Sequence, residues 1–197
     1  MIGRDEIQRS LSGAWNLFLG RPDALRAFDT SLEGFWRSFQ AILVVAPLYF
    51  ITALTDRMGA AGDPATVVSP DKFWATEFLS LVLDWIALPA LLAVIGGLVG
   101  IKQRYPAYIV VRNWATPVML APFAAVSLLG VLGISEEILL IPWVAATAFS
   151  LRFSYLIARR TLGVEIDVAI AFVALDVFVS LAVLKFVGRL TGVDPFS

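Results

Sequence analysis

The stretch SPDKFWATEFLSLVLDWIALPALLAVIGGLVG, residues 69–100, decides the fold. It opens on Ser69-Pro70-Asp71, a helix-start signal: a capping hydroxyl, then a proline where a first helical residue tolerates one. The apolar run that follows exceeds the ~20 residues needed to cross a hydrocarbon core of about 30 Å. An acid, Asp84, sits near its middle.

Four other runs have the same character. The five expected spans are 36–55, 71–100, 105–132, 136–159 and 164–187. Thr30 and Glu33 have the capping-box spacing and are expected to start the first, whose apolar core, Phe39–Leu54, is the shortest. The connections after the second span are short, so the second to fifth helices are expected to be antiparallel neighbours. Trp36, Trp74 and Trp143 fall near helix ends, where tryptophan prefers to sit. The fold class read from this is all-α: a polytopic integral membrane protein, residues 35–197 forming a five-helix transmembrane domain.

Residues 1–34 read as a separate amphipathic segment. Ile7, Leu11, Ala14, Trp15 and Phe18 recur at helical spacing over 4–19. Gly20 ends that pattern, and Pro22 starts a short second helix through Phe28. Two placements fit: a helix lying in the cytoplasmic headgroup region, or one packed on the bundle or on a partner subunit.

Composition narrows the chemistry. The chain has 197 residues, 59% hydrophobic and 16% charged, where a soluble domain carries about 25% charged residues. Net charge is −1, which argues against a nucleic-acid surface. Without cysteine, disulfides, thiolate catalysis and cysteine metal sites are excluded; without histidine, so are its metal and general-base roles. No P-loop, GxSxG or serine–histidine arrangement is present. Asp84 and Asp176 lack the flanking residues expected of an aspartyl membrane protease. The reading is therefore of no enzyme, no metal and no cofactor.

Orientation follows from the basic residues. Arg4, Arg9, Arg21, Arg26 and Arg37, the turn with Lys102 and Arg104, and the turn with Arg159 and Arg160 fall on one side. Basic residues favour the cytoplasmic side, so the N-terminus is expected in the cytoplasm and the C-terminus outside. The preference for arginine over lysine points to a GC-rich bacterial genome, and the membrane expected is the bacterial inner membrane. The N-terminus, with acids and bases alternating, does not read as a cleavable signal.

The polar residues inside the spans are the candidate site. Glu77, Ser80 and Asp84 share a helix face, and Asp176 lies mid-span in the fifth helix. Arg112, with Asn113 beside it, lies about 10 Å into the third helix at 1.5 Å per residue. Arg152 is in the cytoplasmic half of the fourth. A charge at the bilayer centre costs at least about 2.5–3.5 kcal/mol, so these groups are expected to converge inside the bundle. They would either pair to lock it or line a proton, ion or solute path. Prolines 47, 89, 117, 122 and 142 fit kinked helices, which broken-helix transporters share, although no inverted repeat is evident. Gly96, Gly97 and Gly100 form a small-residue face at the end of the second helix, suited to packing within the bundle or to a homo-oligomer.

Two stretches carry a resemblance: Arg21-Pro22-Asp23-Ala24-Leu25-Arg26-Ala27-Phe28, and Gly34-Phe35-Trp36-Arg37-Ser38-Phe39 entering the first span. With the five-helix layout they resemble the Yip (Ypt-interacting protein) family in its bacterial relatives. The acidic–aromatic–Gly-Pro motif of the eukaryotic members is missing. The resemblance implies a membrane-organising protein without catalysis and transfers no functional residue. The leading expectation is a non-catalytic adaptor, assembly factor or accessory subunit in the lipid bilayer, contacting a partner membrane protein. The alternative is a small transporter or channel using Asp84 and Asp176.

Overall fold

The computed structural model describes residues 2–60 and 68–193. All regular structure among them is helical. Seven α-helices follow in order: α1 (Arg4–Phe18), α2 (Leu32–Ser38), α3 (Ile42–Ala60), α4 (Pro70–Ile95), α5 (Tyr105–Val131), α6 (Glu136–Ile157) and α7 (Ile166–Thr191). A single 3₁₀ turn, Phe39–Ala41, joins α2 to α3, so Leu32–Thr55 acts as one span. Five segments are thus long and apolar enough to cross a membrane. At 1.5 Å per residue the 26 residues of α4 reach about 39 Å, more than a hydrocarbon core of about 30 Å requires.

The helix ends differ from expectation in instructive ways. Ser31, not Thr30, caps α2: its hydroxyl accepts the Gly34 N–H at 3.1 Å. Glu33 does not complete a capping box but turns to Arg37. The short second helix is only a 3₁₀ turn, Ala24–Ala27, with Pro22 ahead of it. Helix α4 stops at Ile95 rather than near Gly100, and residues 96–100 form an irregular last turn. Gly100 closes that turn at φ 75°, and the Ile101 N–H reaches back to the Gly96 carbonyl. Only glycine enters the left-handed region at no steric cost, which is why the helix ends there.

The helix neighbours also differ from sequence order. α3 packs mainly along α5, and α4 mainly along α7; α4 and α5, although consecutive, touch little. α5 is the central element, in contact with α1, α2, α3 and α6. Tyr108 through Ala115 are buried on every face, a full two turns with no lipid-facing side. The core gathers at that level around Trp114, Leu88, Phe153 and Ile157.

Helix α1 is docked on the bundle, which answers one of the two placements open to it. Ser10, Gly13, Ala14 and Leu17 are buried against α5, α6 and the 3₁₀ turn. Gly13 is there for closeness: a Cβ would come within 2.5 Å of the Ala27 Cβ.

Candidate functional site

The polar residues of the spans form one interior layer and one capping set. In the layer, Arg112 of α5 donates from Nη2 to Asp176 Oδ1 of α7 at 2.8 Å. Arg112 is buried, and Asp176 keeps 19% of its side chain exposed. The next residue, Asn113, is fully buried and points elsewhere. Its amide donates to Ser38 Oγ at 3.0 Å, and Ser38 in turn donates to the Phe35 carbonyl at 2.7 Å. Successive helix residues point about 100° apart, so α5 uses these two to reach α7 on one side and α2 on the other.

Asp84 of α4 belongs to the same layer. Its carboxylate lies close enough to act electrostatically on Arg112. Measured along their helices from the end that holds the Lys102–Arg104 turn, Arg112, Asp84 and Asp176 stand about 10, 16 and 15 Å in, at 1.5 Å per residue. One guanidinium therefore pairs with Asp176 and lies within electrostatic reach of Asp84. The pairing leaves loose ends: Asp84 Oδ1, Arg112 Nε and Asn113 Oδ1 are buried with no hydrogen-bond partner. Buried polar atoms are nearly always satisfied, so these mark where ordered water would be accommodated.

Glu77 stands two turns from Asp84, toward the other end, and accepts from the Tyr49 hydroxyl at 2.7 Å, tying α4 to α3. Trp85, beside Asp84, donates from Nε1 to the Phe39 carbonyl in the 3₁₀ turn at 3.1 Å.

No family model matches the chain, and no curated protein or solved structure matches it.

The fourth expected member of the layer, Arg152, is not in it. Its guanidinium lies over the Phe18 ring at 4.4 Å and donates to the Phe18 carbonyl at 3.3 Å. Two turns on, Arg160 donates to the carbonyls of Gly20 and Arg21, each at 3.0 Å. Two arginines of the α6 segment thus close the C-terminus of α1, where unpaired carbonyls and the negative end of the helix dipole favour cations. Arg104 does the same for the Leu162 carbonyl and Arg159 for the Val164 carbonyl. The basic end is in this sense a carbonyl-capping end. A sequence reading by charge pairs misses it, because every acceptor is backbone.

A second cluster was not foreseen. Arg37 of α2 bonds Glu6 of α1 at 3.3 Å, Asp29 at 2.6 Å and Glu33 at 2.5 Å, clasping the N-terminal segment to the first span. Gly34 makes the clasp possible, since a Cβ there would overlap the Asp29 carbonyl oxygen.

Of the three glycines, Gly96 is buried, with a Cβ there meeting the Leu92 carbonyl oxygen at 2.5 Å, but Gly97 and Gly100 pack on nothing among the described residues. All three lie beyond the end of α4, and a Cβ on Gly97 or Gly100 would meet nothing within 4 Å. Among the described residues no cluster of Asp and Glu is arranged to hold a metal ion.

Among the described residues, two clefts of note open elsewhere. One of about 630 Å³ lies at the opposite end from the basic turns, between α3, α5 and α6, beside Ser127, Ser135 and Glu136. The other, about 620 Å³, is an apolar groove between α1, α3, α5 and α6. Neither is lined by Asp84, Arg112 or Asp176.

Proposed function

We propose that this protein is a non-catalytic multi-pass membrane component, an adaptor, assembly factor or accessory subunit acting through helix contacts in the bilayer. The bacterial Yip-like layout is the closest description of such a role. The observation that carries the reading is the closed Arg112–Asp176 pair. A guanidinium bonded across the bundle, away from both clefts, serves to hold α5 and α7 together. On this reading the N-terminus and the basic turns face the cytoplasm of a bacterial inner membrane, and the C-terminus lies outside. It requires no cofactor and no nucleic acid, and its partner is another membrane protein or a second copy.

Purification in mild detergent tests the proposal. A stoichiometric membrane partner, or a defined homo-oligomer, supports it. A lone protein that drives proton- or solute-dependent flux in liposomes refutes it.

A second reading, a small proton, ion or solute transporter, is favoured by one observation: the buried, unpartnered Asp84 Oδ1 beside a guanidinium that already serves Asp176. Two acids competing for one arginine is an arrangement that can exchange a partner as a proton or ion passes. Asp84→Asn and Asp176→Asn that fold normally but lose a flux would establish it; variants that only lose stability would not.

A further inference from the structure

The apolar groove ends at arginines that no acid neutralises. Trp15 of α1, Val44 and Leu48 of α3, Ala121 and Ala125 of α5, and Phe149 of α6 line it, and no charged side chain does. Its α6 wall leads directly to Arg152, one turn beyond Phe149. The Phe18 ring bridges the two, 4.4 Å from the Phe149 ring and 4.4 Å under the Arg152 guanidinium. Trp15 stacks on the same ring at 5.7 Å and is 48% exposed.

Arg152 is exposed, and among the described residues no carboxylate forms an ion pair with it or with Arg160. Its contacts are a carbonyl and a ring face. Yet it lies five residues inside the end of α6, about 7 Å at 1.5 Å per residue, within a span. A guanidinium at that depth is stabilised by an anion, and the described residues supply none. An apolar protein surface laid in the groove would leave the guanidinium without a counter-charge, whereas an anionic lipid brings tail and charge together. An apolar slot, an amphipathic tryptophan and an unneutralised guanidinium in sequence match the order of parts in one molecule.

We propose that the groove seats one acyl chain of an anionic glycerophospholipid, its phosphate against Arg152 with Arg160 in support. The lipid would sit on the face where α1 is docked and pin α1 to α6 from outside. This rests on the reading of the chain as a membrane protein.

Native mass spectrometry of the detergent-purified protein, with palmitoyl-oleoyl phosphatidylglycerol or phosphatidylcholine added, tests it. The wild type should retain the anionic lipid about fivefold better, the effect of roughly one basic residue at a membrane surface. Arg152→Gln should abolish the preference, and Arg152→Lys should keep part of it. Ala121→Trp, which fills open groove, should reduce retention of both lipids without lowering the unfolding temperature. Equal retention of the two lipids by the wild type overturns the proposal, as does an undiminished preference in Arg152→Gln or a groove occupied by a second copy in a lipid-insensitive dimer. Failure of the membrane reading looks different: the protein would leave membranes in alkaline carbonate without detergent.

Discussion

Arg112 reaches from α5 to Asp176 on α7, 2.8 Å away, between two helices whose backbones hardly touch. The pair spans a gap that α4 and α6 otherwise flank, and so sets the position of α7 relative to the centre of the bundle. Removing one member of a buried pair strands the other and costs about 3–5 kcal/mol, whereas replacing both with apolar residues is often neutral. Asp176→Leu should therefore be strongly destabilised, and the double variant Arg112→Met with Asp176→Leu should recover most of the loss. Thermal unfolding in detergent decides; a double variant no more stable than the single would show that the two do not act as a unit.

Asp84 makes a contrasting case. Its Oδ1 has no partner to lose, and the amide of asparagine needs no counter-charge. Asp84→Asn should keep its unfolding free energy within about 1 kcal/mol of wild type, while Asp176→Asn falls by more. An equal loss in the two would make Asp84 a full partner of Arg112 and favour the exchange that a transporter requires.

The five spans were legible because length and hydropathy alone define them, and Asp84, Arg112, Asn113 and Asp176 stood out as polar residues within them. Which helix packs on which was not legible. In a bilayer the lipid-facing and core-facing residues are both apolar, so α4 carries no face that points to α7 rather than α5. Charge pairing also misplaced Arg152: its acceptor is the carbonyl of Phe18, and a backbone acceptor leaves no mark in the sequence. Within the chain Gly97 and Gly100 make no helix-packing face for a local reason, since Gly100 adopts the left-handed turn that closes the end of the helix. Gly34, which nothing in its neighbours singles out, proved to be closely packed against backbone.

That contrast between glycines is itself testable. Gly34→Ala drives a methyl group into the Asp29 carbonyl, and backbone does not yield cheaply; a loss of about 1–3 kcal/mol is expected from such overpacking. Gly97→Ala meets open space and should be neutral or slightly stabilising. Comparing the two unfolding temperatures is sufficient. If Gly97→Ala instead disrupts a dimer in detergent, the outer face of the residue 96–100 turn is an interface between copies.

The clasp around Arg37 should respond to acid. Hydrogen bonding from the Ser31 side chain and backbone holds the Asp29 carboxyl below the usual value of 3.8, with the charge of Arg37 adding to the effect. A carboxyl whose value is depressed by folding stabilises the fold fully above its unfolded value. That stabilisation is lost as pH falls through the lower folded value. Proteolysis of the segment before α2 should thus stay slow from neutral pH down to about 4 and accelerate below it. Asp29→Asn, which keeps an acceptor for Ser31 but cannot titrate, should flatten that acceleration; an unchanged profile would assign the acid sensitivity to Glu6 or Glu33.

The absence of cysteine makes topology directly measurable, because any introduced thiol is the only one. Gln103 and Ser135 are both exposed and sit in the turns at opposite ends of α5. If the carbonyl-capping arginines mark the cytoplasmic end, Gln103→Cys in intact cells should resist a membrane-impermeant maleimide until the membrane is opened, while Ser135→Cys reacts at once. The two positions are separated by a single span, so one must be labelled and the other protected in any inserted chain. The reverse pattern would turn the molecule over, placing Arg104, Arg159 and Arg160 outside. Their role as caps for Leu162, Val164 and α1 would survive that result, since it depends on carbonyls and not on the membrane. The positive-inside assignment would not survive it.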